Sequence, residues 1–245
     1  MVVFENLIGG IYRLKVPFED IYTAVFLLCT ENGSILIDSA TTKEDVENYI
    51  IPALRRLGKK PTLALCTHSH GDHAGGMPYV LSHFEGVKAY AASEKLINER
   101  SFIGVKDGDE LLPGVIAIAL SGHSPDSIAI YDSESKTLIT GDCVQLGGVG
   151  RYGTGIWCGS EYYKSLDKVL GGEAENLIAS HEYYPLGSLA MGRKALEEYI
   201  SESRKIALYI GELARVHGAE EAAKIYNESE PKRPPISHWS AKALM

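Results

Sequence analysis

Between Thr67 and Gly76 the chain reads Thr-His-Ser-His-Gly-Asp-His-Ala-Gly-Gly, which puts His68, His70, Asp72 and His73 within six residues. Neutral imidazole and carboxylate are the donors that borderline divalent ions such as Zn²⁺ accept, so the chemistry these four residue types suggest is metal binding. The segment follows an apolar run and precedes a helical pattern. In extended backbone, side chains two apart share a face, which aims His68 and His70 at one point. Asp72 and His73 then fall on the turn into the helix and face a second point close by. Gly71, Gly75 and Gly76 let the chain wrap tightly around both points. His83, His217 and His238 have no such context and read as ordinary surface or core histidines.

One arrangement recurs along the chain: an apolar strand, a small polar residue or glycine, then a metal-binding side chain. Residues 63–67 lead to His68, 115–122 to His123, 137–141 to Asp142 and 177–180 to His181. Sites in open α/β sheets form outside the carboxyl ends of strands, which is where this arrangement places all four. Taken singly, a histidine or aspartate at a strand end is an ordinary loop residue. Metal binding explains the four together.

The elements that must hold these residues are strands and helices in alternation. Strand signals at residues 11–14, 22–29 and 34–37, with Glu31-Asn32-Gly33 as a turn, form an opening antiparallel meander. Val46, Ile50, Leu54 and Leu57 predict an amphipathic helix over residues 42–57, stopped by Gly58. Further strands are expected at 62–66, 87–91, 115–120, 127–131, 137–140 and 177–179, with helices near 77–84 and from Ser93. This interleaving is the pattern of an α/β protein. Residues 145–159, rich in glycine and carrying Tyr152 and Trp157, read as a long loop forming a wall of the site. From Leu189 the pattern turns helical, over 190–216 and 219–225, before a tail with Pro231, Pro234 and Pro235. The expected organisation is one domain over residues 1–188 and a helical extension over 189–245 packed on it.

With 45% hydrophobic and 23% charged residues, the chain has a globular composition, which excludes a disordered or fibrous protein. Its 24 basic against 32 acidic residues give a net charge of −8, which argues against nucleic acid as a partner. The longest apolar run, residues 22–29, is far short of the ~20 residues of a membrane span. Four scattered cysteines, Cys29, Cys66, Cys143 and Cys158, do not require a disulfide scaffold, so the expected setting is cytoplasmic, with a small-molecule substrate. Nothing in the sequence sets an oligomeric state.

The His68-x-His70-x-Asp72-His73 motif, with His123, Asp142 and His181 after it, resembles the signature of the metallo-β-lactamase superfamily. The resemblance runs from the first strands to about Tyr184. It implies an αβ/βα sandwich of two mixed β-sheets with outer helices and metals at one edge. Carried over to this sequence, it implies one metal on His68, His70 and His123, a second on Asp72, His73 and His181, and Asp142 bridging them. Ile35-Leu36-Ile37-Asp38 is similar to the family's first motif, in which a strand-end aspartate supports the site from behind. The implied activity is hydrolysis of an ester, thioester or lactone carbonyl by a hydroxide between two divalent ions, with Asp72 as catalytic base. Zinc is the first expectation, and iron and manganese suit the same donors.

Other activities of the superfamily are β-lactam hydrolysis, a mononuclear iron persulfide dioxygenase and phosphodiester cleavage. The full second ligand set argues against the dioxygenase, and the negative charge against a nuclease. Cys143, next to Asp142, stands near the zinc-binding cysteine of some true β-lactamases, and His123-Ser124-Pro125-Asp126-Ser127 is similar to their GHTxDN segment. Because Asp142 completes a glyoxalase II or lactonase kind of ligand set, Cys143 is read as a buried strand-end thiol. Glyoxalase II resemblance would use basic residues of the helical region, here Arg193, Lys194, Arg204 and Lys205, which also suit a solvated face. Lactonase resemblance would use a tyrosine near the site. Tyr152 and Tyr183, with Trp157, are the candidate substrate-binding residues.

Overall fold

The structure, a computed structural model, describes residues 2–19, 21–99, 101–144, 146 and 155–245. Seven strands form the first sheet in sequence order: β1 (Glu5–Ile8), β2 (Ile11–Phe18), β3 (Ile21–Thr30), β4 (Gly33–Ile37), β5 (Leu63–Leu65), β6 (Lys88–Ala91) and β7 (Phe102–Gly104). β1 to β4 pair antiparallel and β4 to β7 pair parallel, so the sheet is mixed. The second sheet contains β8 (Glu110–Leu112), β9 (Val115–Ala119), β10 (Ile128–Asp132), β11 (Thr137–Gly141), β12 (Asn176–Tyr183) and β13 (Gly187–Ala190), in the order β13-β12-β11-β10-β9-β8. It too is mixed: β11 and β12 are parallel, β12 and β13 antiparallel.

The chain divides into two compact units, residues 1–118 with 132–135, and residues 119–131 with 136–245. In the first, β3 is buried on both faces from Thr23 to Leu28, which explains why it reads as an unbroken apolar run rather than an alternation. Val25 and Leu27 join Leu14, Leu36 and Ala64 in a core against Val46, Ile50 and Leu54 of the helical run at residues 43–57. Each such side chain contributes about 1.5–3 kcal/mol on burial. Thr42 caps that run through a capping box with Asp45, and Gly58 ends it at φ 67°. Its middle, Val46–Ile50, is a π-helical turn followed by Pro52. The wider turn accommodates the N–H that proline lacks and keeps apolar residues spaced by four on one side.

In the second unit, Gly159–Gly171, Arg193–His217, Ala219–Ser229 and His238–Ala243 are helical. Arg193 donates to the carbonyls of Gly172 and Ala174, tying the start of the long helix to the segment before β12.

Several elements differ from the sequence expectation. β1, β7, β8 and β13 have three or four residues each, too few for an alternation to register. The helix Gly159–Gly171 begins inside the expected 145–159 loop. Its buried Tyr162, Leu166 and Val169 keep helical spacing, but the flanking glycines mask it in the sequence. β13 occupies residues 187–190, so the helical region starts at Arg193 rather than Ala190, and the proline-bearing tail ends in a further helix. Among the described residues no helix is long and apolar enough to cross a membrane.

Candidate metal centre

The first unit's contribution is built from the parallel pairing of β4 and β5, which sets Ile37 beside Leu65 and lets the Asp38 N–H donate to the Leu65 carbonyl. Asp38 is fully buried, at φ 63°. Its Oδ1 accepts from the Thr67 N–H at 2.7 Å, and its Oδ2 accepts from Thr67 Oγ1 at 2.9 Å and from His73 Nδ1 at 2.8 Å. The single Thr67 hydroxyl proton goes to Asp38, so at its 3.1 Å contact with His68 Nδ1 the hydroxyl oxygen accepts. Both imidazoles therefore carry their proton on Nδ1 and present the Nε2 lone pair, the form that binds a metal.

His68 stands 4.5 Å from His70 and 4.2 Å from His73, centroid to centroid, brought there by a bend at residues 67–69 rather than by the extended backbone expected from the sequence. Asp72 and His73 lie on the short helix Gly71–Ala74, with His70 at its cap. Asp72 Oδ2 is 3.3 Å from His73 Nε2 and accepts a hydrogen bond from Thr23 Oγ1 at 3.1 Å. Close approach behind the motif depends on two glycines. A Cβ on Gly75 would lie 2.3 Å from the Thr41 carbonyl oxygen, and one on Gly76 2.0 Å from that of Ser39. The Ser39 N–H and hydroxyl both donate to the His73 carbonyl, at 2.8 and 2.9 Å. Gly71 meets nothing within 4 Å, so the tight wrapping expected of it falls to Gly75 and Gly76.

In the second unit β11 ends at Gly141, φ 54°, and delivers the buried Asp142. His123 Nε2 lies 3.7 Å from Asp142 Oδ2 and His181 Nε2 3.4 Å from Asp142 Oδ1, so one carboxylate faces two buried histidines, one through each oxygen. His123 Nδ1 donates to the Gly155 carbonyl at 2.8 Å, which again leaves Nε2 for a metal. Gly122 carries the Tyr162 backbone against it, 2.4 Å from where a Cβ would sit, and its carbonyl accepts from the N–H groups of Trp157 and Cys158. Ser240, in the C-terminal helix, accepts from the N–H groups of Gly155 and Ile156 through Oγ, so the tail braces the segment that orients His123.

These donor sets fit divalent metals. Two atoms bound tetrahedrally to one ion at ~2.0–2.1 Å are about 3.3–3.4 Å apart, the spacing of Asp72 with His73 and of Asp142 with His181. The supporting residues Thr23, Thr67 and Ser240, and the Gly155 carbonyl, escaped the sequence reading, since a hydroxyl or a carbonyl carries no spacing signal. Asp38 holds His73 and Thr67, the supporting place the resemblance implied for it.

Of the candidate substrate-binding residues, Tyr183 is buried and its hydroxyl donates to Asp142 Oδ1 at 3.3 Å. Trp157 is 57% exposed. Tyr152, with most of the expected loop, lies outside the described residues. Cys143 is buried, and none of the four cysteines is in a disulfide.

The statistical profile of the metallo-beta-lactamase superfamily matches residues 19–184. The chain belongs to that superfamily. This superfamily member is 30% identical over 189 residues to a hydroxyacylglutathione hydrolase of Hamiltonella defensa, covering 76% of the chain and 70% of the relative. It is 29% identical over 140 residues to a metallo-beta-lactamase type 2 of Elizabethkingia meningoseptica, covering 51% and 53%. The crystal structure of the metallo-beta-lactamase FIM-1 from Pseudomonas aeruginosa, in a mono-zinc form, superposes with a TM-score of 0.64 at 21% identity, covering 84% of this chain and 96% of that one. That likeness shows the fold, two mixed sheets with helices. The superfamily member is a metallo-hydrolase whose histidines and aspartates suit a metal centre.

Proposed function

We propose that this superfamily member hydrolyses an ester, thioester or lactone carbonyl of a small molecule at a binuclear centre. In this reading His68, His70 and His123 hold one divalent ion, Asp72, His73 and His181 hold the other, Asp142 is shared, and zinc is the first candidate metal. The observation that carries it is the set of outer hydrogen bonds at His68, His73 and His123, each of which fixes the ring proton on Nδ1 and turns a buried lone pair outward.

Divalent ions bound at such donors lower the pKa of water from ~16 towards ~7 and polarise the carbonyl under attack. The chain supplies the rest. Asp72, the more solvent-exposed of the two carboxylates, takes the proton of the attacking water and returns it to the leaving group. Thr23 engages its Oδ2 and so fixes which oxygen remains for that exchange. Tyr183 steadies Asp142. A thioester leads the substrate classes because the Hamiltonella relative is a hydroxyacylglutathione hydrolase. A β-lactam is the second reading, favoured by the Elizabethkingia relative. A cytoplasmic setting belongs to the same proposal and is supported by the four cysteines, none of them in a disulfide.

Metal analysis of the purified protein, followed by assay on ester, lactone, thioester, phosphodiester and β-lactam substrates, tests this. Two equivalents per chain are expected, with turnover of an acyl substrate that His68→Ala and Asp142→Ala abolish while the folded circular dichroism spectrum persists. Full activity in either variant would overturn the mechanism.

A further inference from the structure

A cleft of about 660 Å³ opens in the first unit, lined by the end of the helix Ile51–Leu57, residues 58–61, and residues 83–87 after the helix Met77–His83. Residues 58–61 precede β5 and residues 84–87 precede β6, whereas His68 to His73 follow β5. The cleft therefore sits at the amino ends of the parallel strands and the first unit's histidines at their carboxyl ends. Its volume lies within the ~300–1,000 Å³ typical of small-molecule pockets.

Its lining is divided. Half-buried Phe84 and Val87 give it an apolar wall above the buried Ile51 and Leu54, and Arg55, Lys59 and Lys60 stand exposed on the rim. Among the described residues none of these three cations has a carboxylate partner. Two helix ends point into the cleft, each with a partial charge of about −0.5, and Glu85 adds one negative charge. Three cations outweigh these by about one positive charge. That balance is opposite in sign to the chain's net −8.

We propose that this cleft is a second ligand site, independent of the hydrolytic reading, for a monoanionic amphiphile. The anionic head pairs with Lys59 and Lys60 on the rim, and a hydrocarbon or aromatic body covers Phe84 and Val87. Neither half suffices alone: the apolar wall is small and already half-buried, and the exposed cations are screened beyond about 10 Å at 0.1 M salt.

The test is titration of the metal-loaded protein with 1-octanesulfonate, a monoanion whose sulfonate is a poor metal ligand, followed by amide chemical-shift mapping. Saturable shifts are expected at residues 51–61 and 83–87, weakening as salt is raised. 1-Octanol, with the same body and no charge, and inorganic sulfate, with no body, should each bind at least tenfold more weakly. The double variant Lys59→Glu with Lys60→Glu should lose at least tenfold in affinity, and the milder Arg55→Gln a smaller factor, both at unchanged metal content. Shifts centred on residues 68–73, equal binding of octanol, an unaffected double variant, or no saturable binding would each overturn the proposal.

Discussion

Replacing Thr67 by valine isolates the relay behind the metal-binding histidines. Valine matches threonine in shape, so the packing around this buried side chain persists while the hydroxyl is lost. Two contacts go with it: the 2.9 Å bond to Asp38 Oδ2 and the 3.1 Å bond from His68 Nδ1. The 2.7 Å bond from the Thr67 N–H to Asp38 and the 2.8 Å bond from His73 are untouched. The His68 Nδ1–H is left buried without its acceptor, which costs about 1–3 kcal/mol in the metal-free protein. In the loaded protein, loss of an outer-shell partner weakens metal binding by about 10- to 100-fold, or about 1.4–2.7 kcal/mol. If two equivalents bind as proposed, competition with a chromophoric chelator at fixed pH reads them separately. The site containing His68 should weaken by that factor, the site containing His73 should change by less than about threefold, and Thr67→Ser should restore both. Equal weakening of both sites, or none in either, would refute the idea that the Thr67 hydroxyl acts chiefly on His68, its bond to Asp38 mattering less to His73.

Gly76→Ala should lower stability by about 2–3 kcal/mol because its Cβ would meet the Ser39 carbonyl at 2.0 Å, a fall in Tm of about 4–12 °C that calorimetry would detect. An unchanged Tm would show that the Ser39 turn yields freely. Cys143→Ser should keep both metal equivalents and most activity, since Asp142 supplies the shared carboxylate. Loss of one equivalent would make Cys143 a ligand and put the β-lactam reading first. The Cys158 thiol is held below its ordinary range, first by the hydrogen bond with Ser160 and then by the Glu161 N–H, whereas burial pushes Cys29 up. A lowered pKa means more thiolate at neutral pH, so alkylation followed by peptide mapping should show Cys158 reacting from a lower pH than Cys29, and Ser160→Ala should shift its profile upward. Coincident profiles would contradict this.

The ligand motif was legible in sequence because it is local. A bend after β5 brings His68 beside His70, and the short helix Gly71–Ala74 brings His73 beside His68, without help from distant chain. The longer strands β2, β3 and β4 and the helices carrying Val46 or Ile206 were legible for the same reason: their burial period repeats often enough to register. The helix Gly159–Gly171 was not, because its starting glycine is required by the Ala243 carbonyl, 2.3 Å from where a Cβ would sit and far along the chain.

By itself the sequence determined the donor types and their order along the chain, since these follow from side-chain chemistry, and it placed Asp142 directly after β11; the expected strand end at His181 lies instead within β12, and His123 stands four residues past β9. Only the tertiary structure decided which nitrogen each histidine presents. That choice rests on single hydrogen bonds from Asp38, Thr67 and the Gly155 carbonyl, groups that reach His73, His68 and His123 through strand pairing and a buried turn. Nor does any sequence spacing place Ser240 under Gly155 or Thr23 on Asp72, because a hydroxyl bonds over about 3 Å whatever the length of chain between the partners.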